Sequence, residues 1–222
     1  MSGDSKFFLG VVVVAILAIG GVVFFSRSGS PDTANVDVKD GWKTGSDSAP
    51  VKIVEFGDFQ CGACKLAAEP LRQAVESRKN KVQLVYLHFP IISIHQNAMS
   101  SALASEAAGE QGKFWEMYDQ LYVTQSQWEK ISDGASFFRQ IAQSLKLDMN
   151  KYDNTVSDRS VEKKINSQLS YGTSLGVDRT PTLFVNNKKY TGGRTVEQWQ
   201  QLIDDEVAAV KKNASGSQNP TK

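Results

Sequence analysis

The hydrophobic positions of this chain first form one long unbroken run, then short runs, and then stripes at helical spacing. Residues 51–56 (VKIVEF) and 81–89 (KVQLVYLHF) are nearly continuous apolar runs, which predict strands buried on both faces of a sheet. Residues 65–78, between them, predict a helix. A strand, a helix and a second strand in this order predict a parallel pair with a right-handed crossover. The apolar stripe of the helix is assigned to Leu66, Leu71 and Val75.

From residue 95 to about residue 176 the apolar positions recur at the spacing of helices. This region therefore predicts a helical subdomain inserted between the strands of the sheet. Its stripes consist of Phe114, Met117, Tyr118 and Leu121, then Phe137, Phe138, Ile141 and Leu145, then Val161, Ile165, Leu169 and Leu175.

The pattern returns to strands after the helical region. Residues 180–185 (TPTLFV) predict a strand, the Asn-Asn pair that follows suits a turn with positive φ, and residues 188–190 predict an antiparallel return strand. The sequence TVEQ at residues 195–198 predicts a capping box at the start of a final amphipathic helix. We expect residues 213–222, which are polar, to form a disordered tail.

The long unbroken run is FFLGVVVVAILAIGGVVFF at residues 7–25. Its 19 uncharged residues have about the length that crosses a hydrocarbon core of ~30 Å. The run is longer than the usual apolar core of a signal peptide, and no clean small-x-small cleavage site follows it. We predict an uncleaved single-pass anchor preceded by a cytoplasmic stub at residues 1–6, with a cleaved signal peptide as the alternative. Residues 26–49 predict a linker, in which residues 36–42 could add an edge strand.

Composition narrows the class of protein only a little. The 222 residues are 41% hydrophobic, which allows one ordinary domain, residues 50–212, plus appendages. The formal net charge of +1 gives no sign of nucleic-acid binding. A short stub before the anchor and a large domain after it favour a domain on the extracytoplasmic side of the cell membrane, where disulfides persist.

The chain has only two cysteines, and they form one C-x-x-C motif, Cys61 and Cys64, directly after the first predicted strand. The first N–H groups of a helix are unpaired and its N-terminus carries partial positive charge, so a thiolate there is stabilised and its pKa is lowered. The spacing also brings the second thiol within disulfide reach. We therefore predict a redox dithiol in which Cys61 attacks and Cys64 resolves.

Three other interpretations of the cysteines are weaker. A zinc site would need further ligands, and the chain offers only His88 and His95, which lie on separate predicted elements and for which we expect structural roles. A structural disulfide that closes so small a loop would stabilise little. Two inert buried thiols would not explain a motif placed between a strand and a helix, which is the known context of redox dithiols. We expect no metal site.

Four stretches of the sequence together resemble the DsbA-type thiol:disulfide oxidoreductases. They are APVKIVEFGDFQCGAC, HFPIISIHQNA, GEQGKFWEMYDQLY and GVDRTPTLFVNNKKYTGG. They occur in family order, and the resemblance that they carry extends over most of residues 49–212. The resemblance implies a thioredoxin-like α/β fold, with a central mixed sheet flanked by helices and a helical insertion at about residues 95–176. It also implies chemistry that needs no bound cofactor.

The resemblance implies three further site residues. Pro181 would follow a cis peptide bond and pack against the C-x-x-C motif, and Thr180 before it would offer its backbone to an extended substrate. Glu55 lies six residues before Cys61, at the position of a buried carboxylate in thioredoxin-like enzymes. Burial there would raise its pKa and let it exchange a proton with Cys64. A trans proline at a strand start and a partly solvated glutamate are the alternatives.

We predict a disulfide-donating oxidase that acts on secreted or membrane proteins and is reoxidised by a quinone-linked partner in the membrane. A reductase or isomerase supplied with electrons across the membrane is one alternative, and a non-catalytic binding or chaperone module is another. Thr180 replaces the Val that is common in the DsbA type. The dipeptide Gly62-Ala63 lacks the histidine of the strongest oxidants and the proline of thioredoxin. The direction of exchange therefore stays open at this point.

Overall fold

The structure is a computed structural model, and it describes residues 33–38 and 40–216. The elements below all belong to one compact unit that begins at Ala34. The predicted stub and anchor, residues 1–25, lie outside the described residues. Among the described helices, none combines the length and the apolar character that a membrane crossing requires.

Five strands and eight helices are present within the described residues. In chain order they are β1 (Trp42–Gly45), β2 (Val51–Gly57), α1 (Gly62–Ser77), β3 (Val82–His88), α2 (Ala98–Gly109), α3 (Phe114–Val123), α4 (Gln125–Trp128), α5 (Gly134–Ser144), α6 (Met149–Ser157), α7 (Arg159–Ser174), β4 (Thr182–Val185), β5 (Lys188–Thr191) and α8 (Val196–Gly216).

The strands form one mixed sheet in the order β1-β3-β2-β4-β5. β2 and β3 run parallel, and the other neighbouring pairs are antiparallel. β2 is central, and all of its residues except Lys52 are buried, as is every residue of β3. The predictions of two strands covered on both faces, of their parallel pairing and of the antiparallel return strand are confirmed.

Six helices, α2 to α7, lie between β3 and β4 in the chain. The insertion shares one hydrophobic core with the sheet and with α1, because Cys64, Ala68 and Tyr86 belong to the same buried cluster as Phe114 and Trp128. A second core joins the other side of α1 and the sheet to α8. The cysteine motif therefore lies where the sheet, α1 and the helical insertion meet.

Two expectations at the ends of the domain are wrong in detail. The edge strand is β1, which begins at Trp42, the last residue of the range 36–42 that we predicted for it. Val36 packs against the core from a segment that forms no strand. Residues 213–216, which we expected in a disordered tail, continue helix α8.

The stripe predicted for α1 is wrong at Leu66, whose side chain is 78% exposed. Residues that share a helix face are three or four positions apart. Counting back from Leu71 in these steps reaches Ala68 and Ala67, and both are buried. Because alanine contributes little to a hydrophobic pattern, the more prominent leucine was assigned to the core face.

Two connections near the C-terminal end are confirmed. Asn186 and Asn187, between β4 and β5, have φ of 45° and 70°. At the start of α8, the backbone N–H of Thr195 donates to Oε1 of Gln198 at 3.0 Å, and the N–H of Gln198 donates to Oγ1 of Thr195 at 3.3 Å. These reciprocal bonds are the predicted capping box.

Candidate active site

The two cysteines lie at the junction of β2 and α1. Cys61 is the residue before the first turn of α1 and keeps an extended backbone, with φ −71° and ψ 121°. Cys64 lies within the first turn and is fully buried, whereas Cys61 is half-buried. Both are free thiols in this structure. The structure thus agrees with the prediction that Cys61 is the more exposed of the two.

Several donors converge on the Cys61 sulfur and lower its pKa to about 5. The largest contribution is a hydrogen bond from the Cys64 thiol, and partial burial opposes it. The Thr180 hydroxyl and the backbone N–H groups of Cys64 and Ala63 lower the pKa further. The start of the helix therefore acts as predicted, but its amides contribute less than the second cysteine of the motif does. Although the Ala63 side chain cannot donate a hydrogen bond, its backbone N–H can.

The Thr180–Pro181 peptide bond is cis, as the resemblance implied. The bond lies beside the cysteine motif, because the Thr180 carbonyl oxygen is 3.4 Å from Cys61 Sγ. The Thr180 hydroxyl is buried and makes no well-formed hydrogen bond with any described residue, yet it is near enough to the sulfur to lower the pKa of Cys61. The structure thus brings Thr180, Pro181 and Cys61 together, and a role of the first two in substrate binding stays a prediction.

Glu55 lies in the middle of β2 and is fully buried. Burial raises its pKa to about 7, against the opposing effects of a hydrogen bond from Tyr118 and the charge of Arg72. The Tyr118 hydroxyl donates to Oε2 at 3.1 Å, and Oε1 has no partner among the described residues. The partly solvated alternative for this glutamate is therefore wrong.

Cys64 shares the buried surroundings of Glu55. Its pKa is raised well above the usual range of a thiol, first by burial and then by the hydrogen bond that it gives to Cys61. The charge of Glu55 contributes in the same direction, so the carboxyl group and the inner thiol are close enough to influence each other's ionisation. This arrangement suits proton exchange between Glu55 and Cys64.

Sequence reasoning placed Tyr118 in the core but missed its contact with Glu55. Tyr118 and Tyr122 stand one turn apart on α3 and are both buried, and their hydroxyls contact Glu55 and the Asp58 carbonyl oxygen. The available signal was the residue type, because a fully buried tyrosine usually has a polar partner for its hydroxyl.

Sequence reasoning also missed Asp58, in the turn before the motif. Its side chain is fully buried, and Oδ1 accepts a hydrogen bond of 2.8 Å from the Gln60 N–H. Oδ2 accepts hydrogen bonds from the Ile91 N–H at 2.8 Å and from His95 Nδ1 at 2.7 Å. His88, by contrast, lies in the interior and pairs with Glu106 at 3.1 Å, as expected of a structural histidine.

Two buried amide side chains fasten the turn to the helical insertion. The Gln125 amide donates to the carbonyl oxygens of Phe59 at 2.8 Å and Cys61 at 3.1 Å. The Gln60 side chain accepts a hydrogen bond of 2.6 Å from the Asn97 N–H, at the start of α2. The insertion therefore holds the backbone of the cysteine motif in place. No group of three or more metal-ligating side chains occurs in the part of the chain that the structure describes.

A mixed sheet with a helical insertion, a C-x-x-C motif at the start of a helix and a cis proline beside it define a thioredoxin-fold protein of the DsbA type. The family model described as Thioredoxin matches residues 37–205, and the chain belongs to this family. The structure of alpha-DsbA1 from Wolbachia pipientis superposes with a TM-score of 0.71 at 18% identity, over 83% of this chain and 100% of that one. This similarity shows the fold.

Two curated relatives differ in the share of their length that this chain covers. The "Probable disulfide bond formation protein D" of Bacillus cereus is 27% identical over 218 residues, which cover 93% of this chain and 99% of that protein. The "Na(+)/H(+) antiporter NhaA 1" of Salinispora arenicola is 30% identical over 176 residues, which cover 79% of this chain but only 26% of the antiporter. The chain thus spans about a quarter of the length of the first curated relatives that it matches.

Proposed function

We propose that the protein is a thiol:disulfide oxidoreductase that exchanges its Cys61–Cys64 pair with the cysteines of protein substrates. The observation that carries this proposal is the contrast between the two thiols. The pKa of Cys61 is lowered to about 5, whereas burial raises the pKa of Cys64 well above its usual range. At neutral pH Cys61 is then a thiolate, the form that attacks a disulfide and leaves from one. A module that only binds polypeptides has no need of this contrast.

In the donating direction the pair begins as a disulfide. A substrate thiolate attacks Cys61 Sγ, the bond between the two cysteines breaks, and its electron pair leaves on Cys64. Because Cys64 is fully buried, its thiolate is costly. Glu55, with a pKa of about 7, is suited to give it a proton. The product is a mixed disulfide between the substrate and Cys61.

The second step releases the oxidised substrate. The other substrate thiolate attacks the substrate sulfur of the mixed disulfide, and Cys61 leaves as a thiolate. Two electrons have then passed from the substrate dithiol to the protein. One of the two substrate protons is balanced by the proton on Cys64 and the other is released to solvent, and Glu55 regains its proton from solvent.

The donation of disulfides is the direction that we favour. Each hydrogen bond that stabilises the Cys61 thiolate stabilises the reduced protein, and a more stable reduced form makes the disulfide a stronger oxidant. The name of the Bacillus cereus relative supports the same direction. A reductase or isomerase remains the alternative, because the Cys61–Cys64 chemistry runs both ways. Reduced secreted or membrane proteins are the proposed substrates, and a quinone-linked membrane protein is the proposed reoxidising partner.

Equilibration of the purified full-length chain with reduced and oxidised glutathione tests the proposal. We expect a reduction potential of roughly −130 to −220 mV, against about −270 mV for thioredoxin. A potential at or below that of thioredoxin would favour the reductase. Failure to exchange with glutathione or with a reduced model protein would leave only the binding module.

We place the catalytic domain outside the cytoplasm, held by a single-pass anchor at residues 7–25. The apolar length of that segment supports the anchor, and the persistence of disulfides outside the cytoplasm supports the location. Protease added to intact spheroplasts should digest the domain at residues 50–212 and spare the anchor. Protection of the domain until lysis would place it in the cytoplasm.

A further inference from the structure

His95 lies in the loop between β3 and α2, and its ring contacts the turn that precedes the cysteine motif. Its Nδ1 is 2.7 Å from Oδ2 of Asp58. The backbone N–H groups of Gln60 and Ile91 hold the two oxygens of that carboxyl group at 2.8 Å each. The position of Asp58 is therefore fixed from both sides, and His95 Nδ1–H donates to it.

The other nitrogen of the His95 ring is available for protonation. No described residue makes a hydrogen bond with Nε2, and 19% of the side-chain surface is exposed to solvent. The pKa of His95 is raised above its usual value, chiefly by the hydrogen bond to Asp58, with burial opposing. Two ionisable groups act on it electrostatically, the Asp58 carboxyl group in the turn and the Cys61 thiol at the start of α1, and the charges of both favour the protonated ring.

Cys61 is joined to the same turn as His95. Its backbone N–H donates to the Asp58 carbonyl oxygen at 3.1 Å, so Asp58 holds the cysteine through its main chain and the histidine through its side chain. Coupled equilibria are reciprocal: a thiolate that favours the imidazolium is itself favoured by the imidazolium to the same extent. The dipeptide within the motif, Gly62-Ala63, has no side chain that could supply such a charge.

We propose that protonated His95 is a positioning residue for thiol exchange, which supplies positive charge beside Cys61 from a separate loop and so stabilises the Cys61 thiolate. This inference rests on the proposed exchange activity. The charge favours the reduced protein, which carries the thiolate, over the disulfide, which does not. Since only the imidazolium is charged, the effect is present below the pKa of His95 and disappears as the pH rises above it.

The first test measures the glutathione equilibrium of His95→Gln. Glutamine keeps a donor for Asp58 but carries no charge. A charge interaction near the surface is weaker than the 1.36 kcal/mol that makes a factor of ten, so we expect the ratio of dithiol to disulfide to fall about threefold at pH 6. The difference should narrow as the pH rises through the pKa of His95, because the wild-type ring then loses its charge as well. His95→Arg should restore the ratio, and Lys151→Gln, which removes an exposed charge on α6, should leave it unchanged.

The second test needs no substitution. The chain has two histidines, so an NMR titration can follow the ring protons of His95 with little overlap. We expect a higher pKa for His95 in the dithiol protein than in the disulfide protein. An equal pKa in both redox states, or a His95→Gln protein that exchanges thiols with an unchanged equilibrium, would assign His95 a purely structural role. Loss of exchange in the wild-type protein would instead reject the proposed function itself.

Discussion

The two sides of the C-x-x-C motif offer opposite surroundings to the same chemical group. On the outer side, Cys61 is half-buried among hydrogen-bond donors, and its pKa falls to about 5. On the inner side, Cys64 is closed off by the sheet and by α3, and burial raises its pKa far in the other direction. Burial disfavours a charged group and donors favour it. The different roles of the two cysteines therefore come from the elements packed around them.

The inner side has a second ionisable group, Glu55, which allows the buried Cys64 to act as a leaving group. A buried thiolate without a proton source would be a poor leaving group. Glu55 has a pKa of about 7, so near neutral pH it can either give or take a proton. The outer side thus provides the nucleophile, and the inner side provides the proton.

Substitution of the two cysteines in turn should have the largest effect, because each substitution removes one of the two roles in thiol exchange. Cys64→Ser leaves the exposed nucleophile but removes the thiol that resolves the mixed disulfide, so we expect covalent complexes with substrates to accumulate. Cys61→Ser should accumulate almost none, because Cys64 is buried. Non-reducing gel electrophoresis after incubation with a model protein that contains disulfides measures both, because the remaining thiolate forms a mixed disulfide by attacking a substrate disulfide. Equal trapping by the two variants would contradict the division of roles.

Substitution of Glu55 should affect only the inner side. In Glu55→Gln, Cys64 loses its proton donor, and we expect disulfide reduction by glutathione to slow roughly tenfold to a hundredfold at pH 6. The loss should shrink above pH 7, where the wild-type carboxyl group is ionised. Because glutathione ionises equally in both reactions, the ratio of the two rates isolates the effect. A pH-independent ratio would contradict the proton-transfer role.

Glu55→Gln should also change how the free energy of unfolding depends on pH. A carboxyl group with a raised pKa in the folded protein remains protonated there while the unfolded chain ionises, so stability is lost as the pH rises from about 4.5 to about 7. This group should cost the wild-type protein about 3 kcal/mol of unfolding free energy over that interval. Glu55→Gln should lack this loss. Denaturant unfolding at several pH values measures it, and identical slopes in both proteins would show that Glu55 is ionised when folded.

Substitution of Thr180 should weaken the stabilisation of the Cys61 thiolate without disrupting the fold. Thr180→Val removes a hydroxyl that stabilises the Cys61 thiolate, so the pKa of Cys61 should rise by about half a unit to one unit. The ratio of dithiol to disulfide against glutathione should fall about threefold to tenfold. The stability of the disulfide form, which carries no thiolate, should not fall, because the hydroxyl is buried without a well-formed hydrogen bond. Thr191→Val, at an exposed strand position, is the matched control.

We expect the smallest effect from Tyr118→Phe, which changes only the surroundings of Glu55 on the inner side of the motif. The change removes the hydrogen bond to Glu55 and leaves the ring in place, so the pKa of Glu55 should rise by roughly half a unit to one unit. The midpoint of the pH dependence described for Glu55→Gln should move upward accordingly. Tyr122→Phe, whose hydroxyl contacts the Asp58 carbonyl oxygen at 3.4 Å, should leave that midpoint unchanged.

Most of the fold could be predicted because its elements have strong local patterns. The buried runs of β2 and β3 predicted both strands and their pairing, and the capping box marked the start of α8. The stripe of α1 was wrong because half of its buried residues are alanines, which give a weak hydrophobic pattern. β1 was misplaced because a four-residue edge strand with alternating exposure has little apolar pattern.

The residues of the site likewise fall into those that local patterns or the resemblance could identify and those that they could not. Cys61 and Cys64 could be found because their chemistry depends on a local spacing, and Glu55, Thr180 and Pro181 could be assigned by resemblance. The partners that tune them come from distant parts of the chain. Tyr118 contacts Glu55 across 63 positions. His95 contacts Asp58 across 37 positions, and local patterns do not reveal such contacts.

The most direct test of the contrast between the two thiols is a titration of thiolate absorbance in the fully reduced protein from pH 3 to pH 9. We expect one thiolate for each chain to form with a midpoint near pH 5, from Cys61, and no second thiolate below pH 9, because Cys64 stays protonated. Cys61→Ser should lack the step near pH 5. Two thiols that both titrate between pH 8 and pH 9 would contradict the account, because neither the donors around Cys61 nor the burial of Cys64 would then separate them.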